Sequence, residues 1–232
     1  MGNPANYSLE LPERCLQLLD ALWPHAQATR QVERPDLGPL TSTFLISMSM
    51  PIINLPIERI ERRSGNEASH YASDRPIDPA AASAIVETLQ KRPFGDAPFF
   101  ADGAWRFVSC VKPPFPNIAR GLPETIAAEL DSEDAARKAA GIPASQWCSV
   151  LRNALAHGGI AYLNEQGRSS YEEPVKMYAF VSGTYDLMSK KRPKPLTAIH
   201  FLRISETDYR DFLRRWVAWL QDSGIAKESE AA

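Results

Sequence analysis

Residues 151–159 bring an arginine, an asparagine and a histidine to the end of an apolar helix; they read LRNALAHGG. A histidine side chain exchanges a proton near neutral pH, and an arginine side chain can hold a phosphate through its planar fork. Asn153 and His157 are four positions apart and therefore share one face of a helix. Arg152 lies about 140° around the helix from His157, because an α-helix has 3.6 residues per turn. One helix therefore does not present Arg152 beside His157, unless its last turn unwinds at Gly158 and Gly159.

This segment resembles the signature of the HEPN superfamily, the higher eukaryotes and prokaryotes nucleotide-binding domains. That signature is an arginine, a polar residue directly after it and a histidine four to six positions on, and Arg152, Asn153 and His157 match it. The resemblance implies an α-helical bundle that forms a homodimer, in which the motifs of two chains meet in one composite cleft. Many members are metal-independent endoribonucleases of defence, toxin–antitoxin and abortive-infection systems. Members modified by a partner nucleotidyltransferase carry a tyrosine two positions after the histidine. This chain has Gly159 there, so control by such a partner is not expected.

RNA cleavage of this kind gives each matching residue a role. The ribose 2′-hydroxyl would attack the neighbouring phosphate and leave a 2′,3′-cyclic phosphate end. His157 would move the proton, and Arg152 would hold the phosphate and stabilise the charge of the transition state. Asn153 would orient His157 or the phosphate. The expected partners are RNA, a second copy of the chain and an antitoxin or defence protein, and neither a metal ion nor another cofactor is expected.

Five further basic residues are candidates for binding the RNA backbone. Four of them crowd one short run: Lys190, Lys191, Arg192 and Lys194. They would track phosphates beside the cleft, and the alternative is a solvated hairpin loop. Arg168, in the loop after the first strand, could also reach the substrate. His200 alternates with apolar residues and is interpreted as an ordinary strand histidine.

Two other interpretations of the signature segment stay open. Arginine and histidine in the last turn before a glycine pair also make an ordinary helix end, where cations complement the helix dipole. A non-catalytic HEPN module that binds a nucleotide, RNA or a partner protein would carry the same residues. The near-neutral net charge and the aromatic-rich segment 93–123 favour such a binding protein.

Hydrophobic periodicity predicts a mainly helical fold with a small antiparallel sheet. We expect one HEPN-like domain over residues 1–232, with a loop-rich insertion at 93–123 and a β-insertion at 160–204, between the signature helix and the last helix. Apolar residues at helical spacing or capping residues predict helices over 11–31, 41–63, 79–92, 132–140, 145–157 and 206–222. Alternating, β-branched and aromatic residues predict about three strands, over 160–163, 175–181 and 197–204. Pro51 and Pro56 should interrupt the second helix, since each removes a backbone donor.

Charge and cysteine content narrow the class of protein. The chain carries 26 basic and 28 acidic residues, a net charge of -2, whereas a protein that coats nucleic acid is strongly basic. Residues 141–232 hold 12 basic and 10 acidic residues, so a local nucleic-acid site belongs in this part. Three cysteines in apolar surroundings are expected to be reduced thiols, and no signal peptide or membrane span is predicted. We therefore expect a cytoplasmic protein. Its four histidines are scattered, which predicts no metal site.

Overall fold

The computed structural model describes residues 7–29, 40–64, 79–169 and 173–223, in which helices accompany one antiparallel sheet. The helices are α1 (Glu10–Ala28), α2 (Thr41–Ser49), α3 (Leu55–Ser64), α4 (Pro79–Lys91), α5 (Glu124–Asp131), α6 (Glu133–Gly141), α7 (Ala144–His157) and α8 (Glu206–Asp222). The strands are β1 (Arg106–Cys110), β2 (Ile160–Leu163), β3 (Met177–Tyr185) and β4 (Leu196–Ser205). The predicted end of the first helix near residue 31 lies outside the described residues.

The chain folds as two compact units, which are described separately. The helical unit comprises Met1–Arg92, Ala97–Phe99 and Arg210–Ala232, and the sheet unit comprises Pro93–Asp96 and Phe100–Tyr209. The expectation of a single HEPN-like domain over residues 1–232 stays a prediction.

Large apolar side chains form the core of the helical unit. Its fully buried residues come from α1, α2, α3, the segment before α3 and the end of α8, and include Leu19, Leu45, Ile52, Ile57 and Trp216. Phe99 packs edge-on against Trp216, with ring centroids 4.9 Å apart. Asp20 on α1 binds Arg214 on α8 at 2.6 Å. The amphipathic helices that the periodicity predicts at the two ends of the chain are therefore confirmed.

A π-helical turn, Met50–Asn54, separates α2 from α3. Proline lacks the backbone N–H that continues an α-helix, so Pro56 cannot donate to the carbonyl of Ile52 four residues earlier. The Trp216 indole donates to that carbonyl at 2.9 Å instead. The interruption predicted at Pro51 and Pro56 is confirmed, and a buried tryptophan compensates for the donor that proline removes.

The sheet has four strands in the order β1-β4-β3-β2, all antiparallel. The sheet has one strand more than the roughly three strands that the sequence predicts. The three predicted strands are present between α7 and α8, and the fourth, β1, lies within the segment 93–123 that was expected to be loop-rich. Phe107 and Val108 are buried on opposite faces of β1, so this short strand lacks the alternation that marks a half-exposed strand. Its pairing with β4, about ninety residues away, stabilises it.

Helices cover both faces of this sheet. Ile126, Leu130 and Ala135 from α5 and α6 pack against Ala179 and Phe201 on one face. The opposite face packs against α7 and the first turn of α8, through aromatic side chains: Phe94, Trp105, Trp147, Tyr178, Phe180 and Tyr209. The segment 93–123 therefore supplies core aromatics as well as a strand. These aromatic contacts hold α7, which contains residues 151–157, against one face of the sheet.

None of the helices in the described ranges combines the length and the apolar character that crossing a membrane requires.

Candidate functional site

The segment that resembles the HEPN signature, Arg152 to His157, occupies the last two turns of α7, a regular helix that continues to His157. Leu151, Ala154 and Leu155 are buried, so apolar packing holds this end of the helix. Arg152 and Asn153 are half-buried, and His157 is exposed. Because the last turn does not unwind before Gly158, Arg152 and His157 stay about 140° apart around the axis and about 7.5 Å apart along it. The structure therefore does not place them side by side within one helix.

Two glycines end α7, and each is required for a different reason. Gly158 adopts a left-handed conformation with φ of 70°, which L-residues with a Cβ atom rarely adopt. Gly159 lies so close to β3 that a Cβ atom there would stand 2.3 Å from the carbonyl oxygen of Val181. The carbonyl of Gly159 also accepts a hydrogen bond from the Val181 N–H at 2.7 Å. This glycine pair locks the helix end that carries His157 onto the sheet.

Asn153 is turned toward the sheet. Its Nδ2 donates to Ser182 Oγ on β3 at 3.3 Å. The sequence left two roles for this residue, orienting His157 or holding phosphate. The observed hydrogen bond places its amide at the wall of a groove between α7 and the sheet.

The groove is polar and lies where β3 and β4 approach their hairpin. Ser109, His200 and Ser182 are direct neighbours across β1, β4 and β3, so their side chains stand in one row on the face that α7 covers. The groove has a volume of about 260 Å³. Its lining side chains come from one helix and two strands, and include Gln146, Ser149, Asn153, Ser182, Thr184 and His200.

His200 is held between two hydroxyl groups. Its Nδ1 lies 2.9 Å from Ser109 Oγ and its Nε2 lies 3.0 Å from Thr184 Oγ1. Phe107 stacks on the imidazole, with centroids 5.9 Å apart and planes 18° from parallel. Burial lowers the pKa of His200 below its ordinary value of 6.5, so the ring is neutral at physiological pH. A neutral imidazole donates through one nitrogen and accepts through the other, so one hydroxyl accepts from the ring and the other donates to it.

Sequence reasoning missed this groove. His200 was interpreted as an ordinary strand histidine, and Ser109, Ser182 and Thr184 were not singled out. Ser182 and Thr184 alternate with other residues along β3, and this alternation is their signal in the sequence. The alternation indicates a site only when β1 is known to pair with β4, because this pairing places Ser109 beside His200. The strand β1 was not predicted.

The four basic residues of the run 190–194 lie in the connection between β3 and β4. Lys190, Lys191 and Arg192 are exposed. The Lys194 ammonium donates to the carbonyls of Leu187 and Ser189, and these hydrogen bonds stabilise the loop. This loop begins two residues after Thr184, at the end of the sheet where the groove lies. The structure therefore brings the basic loop to the groove end of the sheet, and its role in binding RNA stays a prediction.

Arg168 lies elsewhere in the sheet unit. Its guanidinium binds Glu124 at 2.8 Å and Asp131 at 2.9 Å, and Asp131 also binds the buried Arg203 at 2.8 Å. Burial would raise the pKa of Asp131, but hydrogen bonds from Arg203 and Arg168 hold it below its ordinary value. These ion pairs tie the β2–β3 loop to α5, on the face of the sheet opposite α7. The structure does not bring Arg168 to the groove.

Within the described part of the chain, no three histidine, cysteine or acidic side chains lie together in an arrangement that could hold a metal ion. Comparison of the chain with protein-family models, with curated proteins and with solved structures gives no significant match.

Proposed function

We propose that this chain is a metal-independent endoribonuclease of a HEPN-like type, acting in a defence or toxin–antitoxin setting. The observation that supports it is the exposed His157 at the end of a regular helix, in the spacing that resembles the HEPN signature. The glycine pair after it fixes this helix end on the sheet, which is the preorganisation that a catalytic side chain requires.

The chemistry follows from the residue types. The 2′-hydroxyl oxygen of a ribose attacks the adjacent phosphorus, and His157 accepts the hydroxyl proton. The bond from phosphorus to the 5′ oxygen breaks, and that oxygen takes up a proton as it leaves. Arg152 binds the non-bridging phosphate oxygens, whose negative charge grows in the transition state. The products are a 2′,3′-cyclic phosphate end and a free 5′-hydroxyl.

A homodimer accounts for the separation of Arg152 and His157 around α7. Two copies of α7 related by a two-fold axis would present the arginine of one chain beside the histidine of the other. This arrangement predicts complementation: a mixture of Arg152→Ala and His157→Ala chains forms heterodimers that each contain one intact composite site. About a quarter of all sites would then be active, since half of the dimers are mixed and one of their two sites is intact.

The direct test is incubation of the pure protein with mixed RNA in EDTA. We expect cleavage, with 2′,3′-cyclic phosphate ends on the products, and loss of cleavage on His157→Ala. The matched control is His25→Ala, which removes an exposed histidine from the last turn of α1 and should cleave like the wild type. Absence of cleavage, or equal cleavage by His157→Ala, contradicts the proposal. Complementation that restores no activity contradicts the composite site.

A second candidate function is binding of RNA or a nucleotide without cleavage. The groove beside Asn153 favours it, because hydroxyl and amide side chains line it and can hold a ligand without transforming it. RNA that binds without turnover, and that is released by Arg152→Ala, would favour this binding function over the nuclease.

A further inference from the structure

The groove between α7 and the sheet offers hydrogen bonds without charge. Among the described residues that line it there is no lysine, arginine, aspartate or glutamate. Hydroxyl groups both donate and accept, and the amides of Gln146 and Asn153 each carry a donor group and an acceptor. An ionic ligand would find no counter-charge here. An uncharged ligand with several donors and acceptors matches the lining.

The size of the groove limits the ligand further. Pockets for drug-sized molecules measure roughly 300–1,000 Å³, and this groove, at about 260 Å³, falls just below that range. It suits one heterocyclic base or one nucleoside and is too small for a dinucleotide cofactor. Paired amide donors and acceptors are the groups with which proteins recognise the edges of bases.

The lining is held in place before any ligand arrives. Asn153 Nδ2 is fixed by Ser182 Oγ, and the His200 ring is fixed between Ser109 and Thr184. Stacking on Phe107 restrains the same ring. Groups that are already ordered lose little conformational entropy on binding. The groove is therefore organised as a binding site.

The groove lies close to His157, because Asn153 lines the groove and is four residues before His157 on α7. Ser149, Asn153 and His157 recur every four residues, so each lies about 40° around the helix from the one before it. Asn153 stands about 6 Å along the axis from His157, since each residue advances the helix by 1.5 Å. On the other side of the groove, the chain passes from Thr184 into the basic loop at 190–194. A ligand in the groove would thus lie between the proposed catalytic histidine and a cluster of cations.

We propose that this groove is a base-recognition subsite, in which a nucleobase of the RNA substrate is held by Asn153, Gln146, Ser182 and Thr184. The proposal rests on the proposed nuclease function, because it names the part of the substrate that lies beside His157. Cleavage then depends on the identity of the base that enters the groove. A free nucleoside would offer the same chemistry, and the experiment separates the two sources.

Saturation-transfer NMR with the full chain tests the subsite directly. The probes are adenosine, guanosine, cytidine and uridine, each alone, and then the corresponding single-stranded tetranucleotides with 2′-O-methyl riboses that cannot be cleaved. We expect saturation of the base protons of at least one nucleoside, and stronger binding of the tetranucleotide of the same base. Ser149→Phe should abolish both signals, because Ser149 is an exposed groove residue and phenylalanine there fills the groove. Ser47→Phe, at an exposed serine of α2 outside the groove, is the matched control and should bind like the wild type.

A second variant tests the polar contacts without filling the groove. Thr184→Val keeps the shape of the side chain and removes its hydroxyl, and we expect binding weaker by about threefold to tenfold, the effect of one hydrogen bond. Binding by Ser149→Phe equal to that of the wild type would overturn the proposal, as would failure of every nucleoside and tetranucleotide to bind. A nucleoside that binds while its tetranucleotide does not would also overturn it, in favour of a free-nucleoside site. Failure of the nuclease is a separate result, since these measurements need no cleavage.

Discussion

Gly159, two residues after the end of α7, contacts Val181 on β3 closely, and the structure gives the size of the effect of filling this contact. Gly159→Ala places a methyl carbon 2.3 Å from the carbonyl oxygen of Val181. Backbone atoms on both sides must separate, because neither partner is a flexible side chain. Overpacking of this kind costs about 1–3 kcal/mol. The separation also weakens the 2.7 Å hydrogen bond from Val181 to Gly159, which contributes about 1 kcal/mol. We expect a loss of about 2–4 kcal/mol in the free energy of unfolding.

Gly158→Ala is the matched control, since it adds the same methyl group one residue earlier. Apart from the adjoining backbone, no atom lies within 4 Å of a Cβ atom at that position, so the substitution causes no collision. It costs only the left-handed backbone conformation at φ of 70°, about 1–2 kcal/mol for an alanine. Asparagine tolerates this conformation better, so Gly158→Asn should recover part of the loss. Asparagine at position 159 should recover nothing, because its Cβ meets the same oxygen.

Urea unfolding followed by tryptophan fluorescence measures these differences, since Trp105 and Trp147 are buried in the sheet unit. Gly159→Ala should be less stable than Gly158→Ala by about 1.5 kcal/mol, the difference between the midpoints of the two ranges. Equal stability of the two alanine variants, or recovery by asparagine at position 159, would refute the steric argument and the close contact on which it depends.

Three further measurements test other parts of the structure. Trp216→Phe keeps an aromatic ring but removes the donor to the Ile52 carbonyl, so it should lower the free energy of unfolding in urea by about 1–3 kcal/mol. Hydrogen bonds from Arg214 lower the pKa of Asp20 below its ordinary value of 3.8. Asp20→Asn should therefore destabilise the chain by about 0.5–1 kcal/mol at neutral pH, and the difference should vanish as the pH falls through that lowered pKa. Burial lowers the pKa of His200 below 6.5, so the unfolded chain takes up a proton that the folded chain does not. Wild-type stability should decline as the pH falls below about 6.5, and His200→Gln should lose this part of the decline in urea unfolding at several pH values.

Most of the helices were predictable because their signals are local, whereas α5 (Glu124–Asp131) was not predicted. α6 begins where the sequence places a serine cap, and Ser132 Oγ accepts from the Ala135 N–H at 3.2 Å. α7 ends at the glycine pair, as its composition indicates. The interruption before α3 follows from two prolines. Each of these features depends on a few neighbouring residues, and no distant part of the chain is needed to infer it.

The strand β1 was not predictable in the same way. Arg106–Cys110 is five residues long, stands among prolines and is buried on both faces, so neither length nor alternation distinguishes it from a loop. What stabilises it is the pairing with β4, a long-range contact. The row from Ser109 through His200 to Ser182 could not be predicted for the same reason, because these residues become neighbours only when β1 pairs with β4. When a site consists of side chains that neighbouring strands bring together, no single segment of the sequence indicates it.

Asn153 belongs both to the segment 151–159, which the sequence singles out, and to the groove, which the sequence does not predict. Its position beside Arg152 is a property of the signature segment, whereas its hydrogen bond to Ser182 depends on the sheet. An asparagine that oriented His157 would direct its amide along α7, but here the amide is directed at β3. The amide of Asn153 therefore contacts Ser182 at the wall of the groove, where the proposed base would bind. If both proposals hold, proton transfer and recognition of the base belong to different residues of α7, and substitutions at Asn153 and at His157 should separate binding from cleavage.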